Sequence, residues 1–277
     1  MKFKKKNKLK KRERYVLPTV DTEPMVNIED YSFLIYGPPG TGKTTLANEM
    51  KIEDRPNLMM MAEDGTKALR CRPVHIRKWP DAIAYLDLLI DSPDYGGGVL
   101  DTAEALYEHS RRYHLKKLDA EHENDVPYGK GWSATRDPFT DWLKRFLSIP
   151  DKGAVVISHS TRGTRKSQEG DEVEDVHPNI PGKVLDEVTG AVDVVGYLYR
   201  TKGQNWLRIR QTDDIMAKCR LVENFLHTDG SPVALIPMGN SPAESYAALV
   251  SAFNNELEPP PPPEKRKKAK LKFGKRK

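Results

Sequence analysis

Short apolar runs recur along the chain, and each stops abruptly at glycines, acids or a histidine. Residues 33–36 (FLIY) run into Gly-Pro-Pro-Gly, 57–65 (NLMMMAEDG) end in Glu63-Asp64-Gly65, "GGGVLDT" ends its apolar part at Asp101, and 153–160 (GAVVISHS) end in His159-Ser160. Runs of this length and make-up predict buried strands. Between them the apolar spacing changes to that of helices. Ile83, Leu86 and Ile90 share a face within 80–90. Ala103, Leu106 and Tyr107 follow Asp101 at i, i+3, i+4, and Phe139, Trp142, Leu143, Phe146 and Leu147 do the same within 137–148. Later, 191–199 and 205–211 read as a β-hairpin turning through Arg200-Thr201-Lys202-Gly203, and 242–257 as a closing helix. Strands alternating with helices predict an α/β fold: a central, mostly parallel sheet with helices on both faces, plus a C-terminal β-hairpin and helix.

Composition narrows this further. No apolar run approaches a membrane span, and the basic N-terminus lacks the apolar stretch of a secretory signal, so a cytoplasmic protein with no membrane partner is expected. Cys71 and Cys219 stand far apart without metal-ligand spacing, which implies neither a disulfide framework nor a zinc site. His109 and His114 are five apart on one helix, roughly 140° around its axis, and do not form a metal pair.

The net charge of +5 conceals a division. Residues 1–14 and 264–277 each carry nine Lys/Arg and one Glu, so the stretch between them has a net charge of −11. Such runs cannot bury a core and predict disordered arms, for a polyanion such as nucleic acid or for solubility or localisation. Residues 259–263 are a polyproline spacer holding the second arm away from a domain spanning 15–258.

The chemistry centres on 37–45. Gly37, Gly42, Lys43 and Thr44 meet the pattern GxxxxGK[ST], with Pro38, Pro39, Gly40 and Thr41 between and Thr45 after. A loop that wraps phosphates with its own N–H groups needs glycines, because a Cβ blocks both the backbone angles and the approach. The helix opening at Lys43 aims its dipole at the anion, Lys43 reaches the β- and γ-oxygens, and Thr44 ligates Mg²⁺. With a strand before and a helix after, this is a nucleoside triphosphate site, with ATP and Mg²⁺ as the expected cofactors.

Three strand tips supply the other groups. Glu63 can orient and deprotonate an attacking water, or be a turn acid paired with a surface base. For the second Mg²⁺ carboxylate, Asp91 and Asp101 compete. A turn (Ser92-Pro93-Asp94) follows Asp91 whereas a helix follows Asp101, so Asp101 is chosen. His159 can sense the terminal phosphate, or merely cap its strand.

The succession "GPPGTGKTT", "MMMAEDG", "VLDTAEALYE", "HENDVPYGKGW" and "VVISHS" resembles the phage-type RecA-like ATPases, core-only relatives of RecA that include single-strand annealing proteins. The likeness covers roughly 30–225. It implies a RecA-like P-loop NTPase sheet, ATP hydrolysis with Mg²⁺, and action on single-stranded DNA beside a single-strand DNA-binding protein, in the host cytoplasm if phage-encoded. By that match Glu63 is the catalytic glutamate, Asp101 the Walker B aspartate and His159 the sensor, with Lys43 also catalytic. The glycines before Asp101 depart from the family's apolar strand, and Thr102 stands where an AAA+ ATPase has glutamate.

The resemblance also implies two DNA-binding loops, here about 119–132 and 160–181. The first offers Tyr128, Lys130 and Trp132, a stacking-and-phosphate mixture, although Trp132 suits a core equally. The second offers Arg162, Arg165 and Lys166, then turns acidic, which predicts a mobile loop ordered on binding. RecA-type sites are completed by a basic residue from a neighbouring subunit. Arg200 and Lys202 are candidates for that trans finger, or simply a solvated hairpin tip, and a homo-oligomer or filament would follow. The expected function is therefore a RecA-like ATPase acting on single-stranded DNA in recombination or replication. The alternatives are an AAA+-like loader or remodeller, a DNA-binding protein holding ATP as a structural ligand, and, more weakly, a small-molecule kinase.

Overall fold

The computed structural model describes residues 19–166 and 172–261. Both basic arms, the end of the polyproline spacer and residues 167–171 lie outside them. Ten strands form, in chain order β1 (Ser32–Gly37), β2 (Asn57–Met61), β3 (Arg72–His75), β4 (Gly97–Asp101), β5 (Gly153–Lys166), β6 (Glu172–Pro178), β7 (Val194–Thr201), β8 (Gln204–Arg208), β9 (Lys218–Cys219) and β10 (Leu235–Pro237). Among the described residues six α-helices accompany them: α1 (Lys43–Glu49), α2 (Trp79–Asp91), α3 (Ala103–Lys117), α4 (Lys130–Leu147), α5 (Gly182–Ala191) and α6 (Pro242–Phe253).

The sheet runs β10-β8-β7-β1-β5-β4-β2-β3, with β6 paired to β5 and β9 to β7. From β7 to β3 every neighbour is parallel, and β6, β8, β9 and β10 are antiparallel additions. This is the expected α/β sheet, mostly parallel, with β5 inserted between β1 and β4.

Alternation along each strand divides the core into two layers. Leu34, Tyr36, Met60, Leu100 and Val156 face one side, packed under Trp79 and Leu86 of α2, Leu106 of α3, Phe139, Trp142 and Phe146 of α4, and Val188 of α5. Phe33, Ile35, Met59, Val99 and Ile157 face the other, under Leu46 and Ala47 of α1 and Leu249 and Phe253 of α6. Strands buried on both faces explain why the runs read as continuously apolar.

The glycines that made β4 look unlike a strand are explained by its neighbours. A Cβ on Gly98 would lie 2.6 Å from Phe146 and 2.8 Å from Leu89, and one on Gly97 would lie 2.4 Å from the Gly153 carbonyl. The helices α2 and α4 therefore press directly onto the β4 backbone, and all five residues of β4 are buried.

Several boundaries depart from expectation. Helix α4 begins at Lys130, not 137, with Pro138 inside it, so Lys130 and Trp132 belong to a helix rather than a loop. On α2 the buried residues are Trp79, Ala82, Leu86 and Leu89, while Ile83 is exposed, so the core-facing stripe is rotated from the one predicted. Of the region predicted as a loop, 160–181, residues 167–171 lie outside the described residues, and 160–166 and 172–178 are strand. β5 continues past Ser160 to Lys166 and pairs antiparallel with β6, Ser160 opposite Pro178 and Lys166 opposite Glu172. Thr, Arg and Gly in that stretch carry no apolar signal, and the pairing comes from the returning acidic segment. The closing helix ends at Phe253, short of the predicted 257. Strands β3, β9 and β10 are too short or polar to show in the apolar pattern.

Candidate functional site

The phosphate loop joins β1 to α1. Gly40 and Gly42 have φ of 75° and 90°, the left-handed region that glycine enters without steric cost, and a Cβ at either would meet nothing within 4 Å. The cradle is thus open on the side where an anion would lie. Gly37 has a different role: a Cβ there would sit 1.9 Å from the Leu198 carbonyl of β7, so the absence of a side chain lets β7 close against the loop.

Lys43 is buried at the start of α1, and its Nζ donates to the carbonyls of Gly37 and Pro38 at 2.9 Å each. Those two oxygens hold the ammonium where phosphate oxygens would compete for it. Thr41 Oγ1 donates to the Pro38 carbonyl at 3.0 Å and stiffens the loop. Thr44 Oγ1 donates to Asp101 Oδ2 at 2.7 Å, linking the first turn of α1 to the tip of β4. Asp91, the rejected competitor, is exposed at the end of α2.

A cavity of about 370 Å³ lies over these residues, lined among others by Lys43, Thr44, Glu63, Asp101 and His159. The sequence-predicted catalytic and metal groups therefore converge. Ala62 and Glu63 both direct their backbone N–H to the Asp101 carbonyl, at 2.7 and 3.4 Å, which ties the tip of β2 to that of β4. Thr102 Oγ1 donates to Glu63 Oε1 at 3.1 Å. The threonine that stands in place of an AAA+ glutamate thus orients the glutamate of the adjacent strand. The Asp101–Thr102 peptide is cis.

One residue of the site was missed by the sequence reading. Glu104, in the first turn of α3, accepts at Oε1 from the backbone N–H of His159 and from its Nδ1, both at 2.8 Å. Its Oε2 is buried without a partner among the described residues. Ligand atoms of Glu63, Glu104 and His159 all lie within 4.8 Å of one another. The available signal was position: Glu104 lies three residues past Asp101, in the first turn of the helix that follows it.

Burial sets the electrostatics. It lowers the pKa of Lys43, opposed by the nearby charges of Asp101, Glu104 and Glu63. It raises that of Asp101, opposed by the Thr44 hydrogen bond and by Lys43. One ammonium facing three carboxylates leaves an excess of negative charge at a site with a threonine hydroxyl and a carboxylate oxygen in contact. Hard oxygen donors of this kind fit Mg²⁺, and the open glycine cradle fits a polyphosphate. Thr44 and Asp101 are the residues that would hold the metal.

The DNA candidates fall into two groups. Tyr128, Lys130 and Trp132 are all exposed, Tyr128 by 96% and Trp132 by 51%, so Trp132 is not a core residue. Trp132 Nε1 donates to Asn124 Oδ1 at 3.1 Å. Their mount is rigid: Arg111 of α3 forms a two-pronged pair with buried Glu123, at 2.6 and 2.9 Å, and Gly131 packs against the Glu123 backbone where a Cβ would come within 2.2 Å. Arg162 is exposed on β5, and Arg165 and Lys166 lie at the far end of that strand. Arg200 and Lys202 are exposed at the turn between β7 and β8, with Lys202 at φ 50°, and neither lines the phosphate cavity of its own chain. A larger groove of about 790 Å³ opens elsewhere; Lys51 pairs with Glu49 and Arg55 with Glu53 there, and Glu29, Asp30, Asp54 and Asp151 leave it with an acidic excess.

Among the described residues no helix is long and apolar enough to cross a membrane. The family profile described as "AAA domain" matches residues 29–221, which is more than half of the chain. No curated protein gives a significant sequence match. Among solved structures, the chain is similar to the flagellar accessory protein FlaH from Methanocaldococcus jannaschii. The sequences are 13% identical, the match covers 77% of this chain and 86% of that one, and the TM-score is 0.40.

Proposed function

The chain belongs to the AAA domain family of P-loop proteins, and from that premise we propose a Mg²⁺-dependent ATPase that acts on single-stranded DNA in phage-type recombination or replication. The observation that carries the hydrolytic half is the convergence of Thr44, Asp101, Lys43 and Glu63 on one cavity. Lys43, released from the Gly37 and Pro38 carbonyls, would neutralise the β- and γ-oxygens. Glu63, aimed by Thr102, would position water and take its proton. His159, held by Glu104, would read the terminal phosphate. Thr44 and Asp101 would hold Mg²⁺, which would supply positive charge against that developed in phosphoryl transfer.

The DNA half rests on three observations: the resemblance in sequence to single-strand annealing ATPases, the exposed Tyr128-Lys130-Trp132 group, and Arg162 on the β5–β6 arm. Aromatic and basic side chains together suit stacking and phosphate contact. Assembly on DNA, with Arg200 or Lys202 completing a neighbour's site, and cooperation with a single-strand binding protein follow from the same reading. A loader or remodeller of the AAA+ kind is the second reading, favoured by the family profile itself. The test is ATP turnover with and without single-stranded DNA across a salt series. Turnover should rise with DNA and the effect should weaken with salt. Equal turnover with and without DNA at low salt would remove single-stranded DNA from the reading and leave the ATPase.

A further inference from the structure

A second, smaller cavity of about 140 Å³ adjoins the phosphate loop on its other side. Gly42 and Thr45 line both cavities, so the two meet at the same turn. The acids Glu63 and Asp101 belong to the first, which therefore takes the terminal phosphate. A nucleoside attached to the other end of the polyphosphate has to leave towards the second. Its floor is apolar, formed by Leu46, Leu198 and Met238. Asn205 also lines it, and the Oδ1 of that amide is buried with no hydrogen-bond donor among the described residues.

The outer wall is built deliberately. Ser241 caps α6 by accepting from the Glu244 N–H at 3.2 Å, and the Glu244 carboxylate accepts from the Asn240 N–H at 2.8 Å. Gly239 allows this turn to fold onto the helix, since a Cβ there would meet Glu244 at 2.2 Å. The Met238 N–H donates to the Asn205 carbonyl at 2.9 Å, and Gln204 Nε2 donates to the Met238 carbonyl, which fixes the wall to β8. All of the wall from Met238 to Ser245 lies beyond residues 29–221 that the family profile covers.

We propose that this cavity receives the base of the nucleotide and that Asn205 selects adenine. The inference rests on the phosphate-loop reading above. An apolar floor suits the faces of a flat heteroaromatic ring. An asparagine amide presents one acceptor and one donor side by side, the complement of the adenine N6 amino group and N7. Guanine offers two acceptors, O6 and N7, on that edge, and would leave the Asn205 carbonyl as unsatisfied as it is without ligand.

The experiment is calorimetric titration of the full chain, with Mg²⁺, by ATP, GTP and inorganic tripolyphosphate. Tripolyphosphate probes the phosphate loop alone. ATP should bind roughly tenfold or more tightly than GTP, the discrimination expected of one two-pronged base contact. In Asn205→Leu that preference should vanish while tripolyphosphate affinity stays. Should that variant fail to fold, Ser245→Phe, which fills the cavity from α6, should bring ATP affinity down to the tripolyphosphate level. Equal affinity for ATP and GTP in the unaltered chain, or an unchanged ratio in Asn205→Leu, overturns the base assignment and leaves the phosphate site standing. Failure of tripolyphosphate and ATP alike overturns the phosphate-loop reading itself.

Discussion

Thr44 and Asp101 are joined by a 2.7 Å hydrogen bond although β1, which leads to Thr44, and β4, which ends at Asp101, have β5 between them in the sheet. The bond holds a hydroxyl and a carboxylate side by side, each with an oxygen lone pair to offer a cation. Asp101→Asn keeps the shape and removes the charge, so Mg²⁺-dependent nucleotide affinity should fall roughly tenfold or more while the fold is retained. Lys43→Ala should abolish nucleotide binding altogether. Fluorescent-nucleotide titration at fixed Mg²⁺ checks both, and ATP binding by the Lys43→Ala protein at its unaltered strength would refute the site.

Burial raises the pKa of Asp101, so its proton is harder to remove than that of an exposed carboxyl. Protons should therefore compete with Mg²⁺ from a higher pH than an ordinary aspartate would allow. Mg²⁺ affinity measured down an acid series should decline before the usual carboxylate range is reached, and Asp101→Asn should flatten that decline.

Glu63 accepts from Thr102 and lines the phosphate cavity. Glu63→Gln retains the hydrogen bond but cannot take a proton. Nucleotide affinity should be kept and turnover should drop by about two to four powers of ten, the usual worth of a general base. Full turnover in single-turnover assays would remove Glu63 from catalysis.

His159 owes its orientation to Glu104. In Glu104→Gln the backbone contact can persist while the charge-assisted grip on the ring is lost. Turnover should fall roughly tenfold with nucleotide affinity nearly constant, a split that general unfolding does not produce. Parallel loss of binding, turnover and thermal stability would make Glu104 merely structural.

Glu123, held by Arg111, titrates below the usual carboxylate range because the charged hydrogen bonds favour its ionised form. Such a group stabilises the fold above its unfolded pKa, and that contribution is lost as pH falls through the folded value. Glu123→Gln should cost about 2–3 kcal/mol at neutral pH, and its denaturant midpoint should lose this part of the acid dependence.

Much of this was legible in the sequence because the signals were local. The phosphate loop is a contiguous pattern, and strands buried on both faces announce themselves as unbroken apolar runs. Asp101 was separable from Asp91 because only one is followed by a helix. What escaped depends on partners distant in the chain. The β5 extension past Ser160 exists because a segment twelve or more residues later returns to pair with it. The α2 stripe was misplaced because Trp79, outside the predicted helix, anchors its buried face. Glu104 has meaning only once α3 is set against the tip of β5. The glycines of β4 read as a defect until Phe146 and Leu89 are seen pressing on them, and Gly98→Ala should accordingly cost about 1–3 kcal/mol of stability, read as a lowered Tm.

β5 has one further consequence. Its first half is wedged between β1 and β4, and its second half projects as one side of the arm, without a break at His159. From His159 to Lys166 the extended backbone spans about 20 Å. A strand so clamped at one end behaves as a lever whose fulcrum is gripped by Glu104. A displacement of His159 would therefore be carried to the far end of the arm with no hinge in between.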